Sequence, residues 1–291
     1  MQKNKSSDTA EGVAAYRAVE SMRSEKDRVI YDPYAKLFLG NKWQKIIHNP
    51  IYKIIMKLLQ KFKYPGFYIA VIARVRFMNE CIKECFPGKY TQLVILGAGY
   101  DMSAYCFRDI LANARVYEVD HPNTQENKLI KIKEYIKDNP GNIAYIPVNF
   151  ETDNLRESLS ENGYTPSENT LFIWEGVTYY LEKNSVEQML EFIIDNSASG
   201  SKLAFDYFPP EVIEGTSIER LGKTMYKLTK KLGEPYKFGI HVDDINDFLK
   251  YHRFTDIRKY SSKKVRDTYF HGDYKKRKVS SIFNFVCATT E

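Results

Sequence analysis

No hydrophobic run in this 291-residue chain approaches the roughly 18 to 20 residues that a membrane-spanning helix needs, so no such helix is expected. The first residues, Met1-Gln2-Lys3-Asn4-Lys5-Ser6-Ser7-Asp8, have no apolar core behind their charges. That argues against a secretory leader and predicts a cytoplasmic protein. Cysteine is scarce, with only Cys81, Cys85, Cys106 and Cys287. Cys81 and Cys85 stand four apart on an expected helix, and no second Cys or His pair lies at ligand spacing, so no metal site is expected and free buried thiols are. The five histidines, His48, His121, His241, His252 and His271, form no His–Asp dyad in sequence. Charge of one sign is also limited. The formal net charge is +6, and the cluster Lys275, Lys276, Arg277, Lys278 is expected to be a solvated loop, with no nucleic-acid or membrane partner.

What the chain does contain is a series of short β-type runs at regular spacing. They fall at Leu93–Gly97, Arg115–Asp120, Ala144–Asn149, Leu171–Glu175 and Lys202–Tyr207. Helical segments separate them at 100–112, 124–138, 154–161 and 185–196. This alternation predicts an α/β fold with a parallel sheet. After Tyr207 the rhythm changes to a long helix over 211–232 and a shorter one over 242–250. Two closing strands, Asp256–Ser261 and Ser281–Ala288, are joined by a polar loop. Ahead of the sheet, helices are expected over 8–30, capped by Asp8 or Thr9, and over 44–62 and 68–85. The lysine-rich amphipathic segment 44–62 has the composition of a membrane-surface helix, but packing on the sheet as a cap is the preferred expectation. The expected organisation is thus an N-terminal helical cap over 1–88 and a nucleoside-binding domain over 89–291, with a helical insert at about 208–250, all forming one cooperative unit.

The first expected strand ends in Leu96-Gly97-Ala98-Gly99-Tyr100-Asp101, and the second in Glu118-Val119-Asp120. A tight glycine turn followed by an acid at the end of the next strand is how a doubly wound sheet holds an adenine nucleoside. The dinucleotide fingerprint would place a third glycine at position 102, where Met102 stands. A cofactor with adenosine and no pyrophosphate fits better, and S-adenosylmethionine is the common one. Asp101 either caps the next helix or approaches the cofactor's ammonium group. Glu118 and Asp120 share one face of an extended strand. Asp120, nearer the strand's end, is the first choice for the ribose diol, and pairing with Lys128 is the alternative role for these acids. Asn149 and Phe150 are placed to meet adenine. Glu175 follows four apolar residues and needs a cationic partner, which a sulfonium or an arginine supplies. Arg74 or Arg76 can grip a carboxylate, with Arg17 a weaker candidate. Tyr179, Tyr180 and Tyr207 are the acceptor-side candidates.

Together the motifs Tyr31-Asp32-Pro33-Tyr34-Ala35, Ala73-Arg74-Val75-Arg76, Leu96-Gly97-Ala98-Gly99-Tyr100-Asp101, Glu118-Val119-Asp120-His121-Pro122 and Trp174-Glu175-Gly176-Val177 resemble the leucine carboxyl methyltransferase family, in particular its bacterial branch of small-molecule O-methyltransferases. The resemblance runs from about Thr9 to Tyr207. It implies a class I methyltransferase sheet, Rossmann-like and mostly parallel with an antiparallel terminal strand pair, under an N-terminal helical cap. It further implies that Arg74 binds the cofactor carboxylate, Gly97 lines the site and Asp120 holds ribose. Asn149 and Phe150 would meet adenine, and Glu175 would lie near the methionine portion. The chain departs from the family in having Asn149 where aspartate is frequent, and Met102-Ser103 and Tyr105-Cys106 where arginines are common.

The expected reaction is transfer of the sulfonium methyl to an oxygen of a small-molecule acceptor bearing a carboxylate or hydroxyl. A carboxylate is ionised at neutral pH and needs no base, which the lack of a histidine dyad favours. The rival readings are carboxyl methylation of a protein C-terminus, a nicotinamide-dependent oxidoreductase and a non-catalytic adenosine-binding regulator. The acceptor's identity and the oligomeric state are not encoded in any recognisable motif.

Overall fold

A computed structural model describes residues 8–150 and 152–291. The leading segment read for a secretory signal, residues 1–7, lies outside them. The chain opens with helices α1 (Asp8–Ser21), α2 (Asn41–His48), α3 (Pro50–Phe62) and α4 (Phe67–Cys85). The sheet then builds through β1 (Gln92–Leu96), α5 (Ser103–Cys106), β2 (Arg115–Asp120), α6 (Pro122–Tyr135), β3 (Ile143–Pro147), α7 (Leu155–Glu161), β4 (Thr170–Trp174), α8 (Lys183–Asp195) and β5 (Lys202–Tyr207). The C-terminal part comprises α9 (Pro210–Glu214), α10 (Arg220–Leu232), α11 (Ile245–Tyr251), β6 (Phe254–Ser261), α12 (Ser262–Tyr269), α13 (Gly272–Lys275) and β7 (Asn284–Thr290). The strands form one seven-stranded sheet in the order β3-β2-β1-β4-β5-β7-β6, with β7 antiparallel to both of its neighbours. The order reverses between β1 and β4, so the carboxyl ends of those strands face the crevice where such sheets take ligands.

Alternation along the strands divides the core into two layers. Leu93, Ile95, Val116, Leu171, Ile173 and Ala204 pack with α1 and α4. Val94, Leu96, Tyr117, Phe172, Trp174 and Phe205 pack with α7, α8 and α11 on the other face. Helix α4 is apolar nearly all round and is buried along almost its whole length, as a helix enclosed on all sides must be.

Several helical expectations change. The segment 44–62 is two helices, because Pro50 holds Asn49 in an extended conformation (φ −90°, ψ 124°) and the Asn49 side chain caps Ile51 N–H. Five apolar side chains of α3 that are described do not pack on the sheet as the expected cap would require. Ile51, Ile54, Ile55, Leu58 and Phe62 are all exposed. The first helix ends at Ser21. The expected Asp8 cap falls on a side chain outside the described residues, and Thr9 lies within α1 with its hydroxyl donating to Glu234 at 3.3 Å. The segment 211–232 is broken where Gly215 takes a left-handed conformation (φ 79°) and ends α9. The polar loop between the last strands carries α12 and α13. Residues 100–112 are mostly turns, with only Ser103–Cys106 helical.

Candidate functional site

Strand β1 runs into a turn that only glycine makes without strain. Gly97 has φ 69° and Gly99 φ 50°. The turn is tied to β2 by Gly97 N–H and Ala98 N–H, which both donate to Val119 carbonyl at 2.8 and 3.0 Å. It is closed from the β4 side as well, since a Cβ on Gly97 would lie 2.6 Å from a Val177 methyl. Asp120 stands at the end of β2 directly against this turn. One carboxylate oxygen accepts Gly99 N–H and the other accepts His121 N–H at 2.6 Å. Burial raises the Asp120 pKa, and the N–H bonds from Gly99 and His121 oppose that rise. Met102 is fully buried in the core, so the place of a third glycine is filled by packed side chain.

Helix α1 lies over the turn. A Cβ on Gly99 would come 3.6 Å from Ala10 Cβ. Arg17 donates to Tyr100 carbonyl at 2.5 Å and pairs with Asp32 at 3.2 Å. Asp32 in turn accepts Tyr34 N–H and Ala35 N–H, both at 2.9 Å. The structure therefore places Arg17 as a brace between α1, the glycine turn and the Tyr31–Ala35 motif.

Beside the turn, at the ends of β4 and β5, sits a buried ionic cluster. Arg74 Nε donates to Glu175 Oε1 at 2.9 Å, and Nη1 donates to Tyr179 Oη at 3.0 Å and Asp206 Oδ2 at 3.4 Å. The other Asp206 oxygen accepts Gly176 N–H at 2.6 Å. Gly176 has φ 75°, and a Cβ there would press on the guanidinium at 3.4 Å. Burial would pull the Arg74 pKa down, but Tyr179, Glu175 and Asp206 raise it on balance, so the side chain stays cationic. Burial raises the pKa of both Glu175 and Asp206, with Arg74 opposing it. Arg76, the alternative to Arg74, points elsewhere: it donates to Val29 carbonyl at 2.9 Å and pairs with Glu80 at 3.1 Å.

The remaining expected residues distribute as follows. Glu118 is fully buried and pairs with Lys128 at 2.5 Å, and Lys128 also donates to Asp101 carbonyl. This is the alternative role considered for that acid, and it leaves Glu118 no exposed edge. Asp101 accepts Ser103 N–H at 2.7 Å and the Ser103 hydroxyl at 3.1 Å, a local side-chain turn just ahead of α5, whose N-cap position is Met102. The Asn149 backbone sits in a turn, its N–H donating to Asp153 at 2.9 Å, and Phe150 packs against the second core layer. Tyr179 stacks on Phe208 with ring centroids 4.2 Å apart, and Tyr180 meets Tyr236 edge-on at 5.2 Å. Tyr207, the third acceptor-side candidate, lies apart from Tyr179 and Tyr180. Strand alternation puts it on the sheet face opposite Arg74, packed on Phe205. Its neighbour Asp206, which sequence reasoning passed over, faces the cluster instead. The signal was present: Asp206 is a lone carboxylate among Leu203, Ala204, Phe205 and Tyr207, the argument applied to Glu175. Phe208 and Tyr236, also missed, come from the segment after β5, where Lys237 N–H donates to Tyr179 carbonyl at 2.8 Å.

The model of one protein family, described as leucine carboxyl methyltransferase, matches residues 10–194. The chain belongs to the leucine carboxyl methyltransferase family. The matched span runs from α1 over the glycine turn to α8, so it takes in Arg74, Asp120 and Glu175. A relative in this direction is YktD of Bacillus subtilis, named as a candidate S-adenosyl-L-methionine-dependent methyltransferase, 28% identical over 68% of this chain and 65% of its own. A Mycobacteroides abscessus protein of the same description is 28% identical over 70% of this chain and 65% of its own. The chain thus spans 65% of the length of each of these relatives. Among solved structures, a candidate methyltransferase from Thermobifida fusca superposes with TM-score 0.61 at 12% identity, covering 100% of this chain and 97% of its own. A Streptomyces avermitilis protein of the DUF574 family gives TM-score 0.60 at 12% identity over 94% of this chain and 100% of its own. These structural likenesses show the class I methyltransferase fold for this member of the leucine carboxyl methyltransferase family.

Proposed function

We propose that the protein transfers the methyl group of S-adenosylmethionine to an oxygen of a small molecule, with a carboxylate as the preferred acceptor. The observation that carries the cofactor reading is Asp120 meeting the Gly97–Gly99 turn at the end of β2. The donor set fits this cofactor. Asp120 offers acceptors for a ribose diol. Arg74 offers a positive charge for a carboxylate, although its Nε and Nη1 already bind Glu175, Tyr179 and Asp206. Glu175 and Asp206 outnumber their one arginine, and burial has raised both their pKa values, so a cationic ligand nearby relieves unbalanced negative charge. Bound S-adenosylmethionine supplies a methyl on a positively charged sulfur, which leaves as a neutral thioether.

The side chains around Arg74 bear on the acceptor. Tyr179 and Tyr236 are pushed well above the ordinary phenol range, and Tyr180 to about 12, in each case chiefly by burial. All three are neutral phenols at physiological pH. They can orient an acceptor by hydrogen bonding, but they hold no base ready to take its proton. An acceptor already ionised, with a pKa of roughly 4, suits such a site better than an alcohol or phenol. The task left to the protein is alignment, with reacting atoms brought to about 3–3.5 Å.

A second reading has its own observation. His241 Nδ1 lies 3.7 Å from Glu211 Oε1, just past the end of β5. A histidine within ion-pair distance of a carboxylate is a candidate for the base that a hydroxyl acceptor requires. The test is methyl transfer from labelled S-adenosylmethionine to paired panels of carboxylic acids and phenols, in the parent and in His241→Ala. Transfer to acids that survives His241→Ala supports the carboxylate reading. Transfer confined to phenols and abolished by His241→Ala overturns it. Calorimetric titration showing NAD bound as well as S-adenosylhomocysteine would overturn the cofactor assignment.

A further inference from the structure

Helix α3 carries an apolar stripe on the side a soluble protein normally makes polar. Ile51, Ile54, Ile55, Leu58 and Phe62 follow the spacing of one helical face, and they are exposed by 67%, 60%, 43%, 50% and 56%. All five count among the exposed large apolar side chains of the described residues. The sequence around the stripe has charge of one sign only. Between Asp32 and Glu80 there is no carboxylate, while Lys42, Lys45, Lys53, Lys57, Lys61 and Lys63 all fall within or beside α2 and α3. Of these, Lys42, Lys45, Lys61 and Lys63 are exposed.

We propose that α2 and α3 dock the protein on an anionic lipid surface, with the α3 stripe entering the headgroup boundary and the flanking lysines meeting the lipid charge. Charge complementarity selects this occupant. A helix with one apolar face and a lysine-rich remainder is the composition that lies in a membrane interface and favours anionic lipid. A second copy of the chain seated on the same face would bring lysines against lysines. The docking face is also continuous with the candidate site. Just beyond α3, Tyr64 meets Phe67 with ring centroids 6.4 Å apart, Phe67 meets Phe283 at 5.9 Å, Phe283 meets Phe208 at 4.9 Å, and Phe208 stacks on Tyr179 at 4.2 Å. One layer of aromatic rings therefore joins the proposed lipid-facing helix to the tyrosine on Arg74.

The experiment is flotation of the full chain with phosphatidylcholine vesicles carrying about 30% phosphatidylglycerol, against phosphatidylcholine alone. The parent is expected to float with the anionic vesicles. It should be released in large part at about 1 M salt, where the screening length falls to about 3 Å. The double variant Ile54→Asp, Leu58→Asp should lose about tenfold or more in partitioning, and Lys61→Glu, Lys63→Glu should lose the preference for anionic lipid. Because these positions are exposed, the melting temperature and S-adenosylhomocysteine affinity of each variant should match the parent, which separates this proposal from the methyltransferase reading. The proposal is overturned if the parent does not float, or if the apolar variant floats like the parent. Sedimentation showing a parent dimer that Ile54→Asp, Leu58→Asp converts to monomer would assign the face to a second copy instead.

Discussion

Glu118 and Asp120 lie two residues apart on one strand and face the same way, yet the structure gives them different work, and substitution separates the two. Glu118 is an internal partner: its side chain and that of Lys128 are each 1% exposed, and their charges lie 2.5 Å apart. Removing one member of a buried pair leaves the other charge unpaired and costs about 3–5 kcal/mol. At roughly 2–4 °C per kcal/mol for a large domain, Glu118→Gln should lower the melting temperature by about 6–20 °C. Lys128→Met should do the same from the other side. The double variant Glu118→Leu, Lys128→Met removes both charges and should return close to parent stability, because an apolar pair of similar volume replaces a buried ion pair at little cost. Asp120 should behave in the opposite way. Asp120→Ala removes an acceptor at the glycine turn, and loss of a charge-assisted bond to ribose should weaken S-adenosylhomocysteine binding by about 1.5–3 kcal/mol, or one to two decades. The assays are thermal melting and calorimetric titration on the same four variants. Glu118→Gln that melts like the parent but binds tenfold more weakly would refute the reasoning, and so would Asp120→Ala that binds like the parent.

Other outcomes follow from the same geometry. Arg74→Ala orphans both Glu175 and Asp206 and should destabilise by at least the 3–5 kcal/mol of a single broken buried pair, with binding of S-adenosylhomocysteine also weakened; Arg74→Lys keeps the charge, loses the fork and should fall between, while Arg76→Ala should leave binding near the parent value. Gly97→Ala forces a left-handed conformation worth about 1–2 kcal/mol and drives a methyl to 2.6 Å from Val177; adding Val177→Ala should recover only the steric part, which chemical denaturation of the single and double variants can resolve. For pH, Asp120 must be ionised to accept two ribose hydroxyls, and burial raises its pKa. Affinity for S-adenosylhomocysteine should therefore be full at neutral pH and decline as pH falls through that raised value, starting above the usual carboxylate range near 4; affinity that is flat down to the ordinary aspartate pKa would contradict it.

The sheet was legible because short apolar runs ending in turn residues record burial on both faces. β5 has the expected limits, Lys202–Tyr207, and β2 has the expected Arg115–Asp120. Misreadings cluster where a local device interrupts the pattern. β4 stops at Trp174 because Glu175 leaves the ladder to meet Arg74. β6 begins two residues before the expected Asp256, which has φ 41° and lies within a register shift that breaks the alternation. In the 44–62 segment Asn49-Pro50 marked a break, but the continuous apolar spacing across it concealed the signal. The glycine turn and its acid could be read because they depend on residues near a strand end. The Arg74 cluster could be read only in part, since it joins α4 to residues 101 and 132 positions away. Sequence shows that Glu175 and Asp206 need a cation, but folding alone decides that they share one.

That sharing ties the stability of the site to its chemistry. A single arginine stands between two buried carboxylates in a region of low dielectric, where burial raises the pKa of each acid and Arg74 opposes the rise. A neutral core at the ends of β4 and β5 would be easier to fold. What the ionic cluster provides is a fixed field beside the glycine turn, set by a guanidinium that Glu175, Tyr179 and Asp206 hold in place from three sides. Such a field favours a ligand that brings a positive centre near the carboxylates. The attraction is lost once that centre becomes neutral, so the proposed site should hold a cationic methyl donor more strongly than the thioether it leaves behind. The same cluster that costs folding energy would then help to release the spent cofactor.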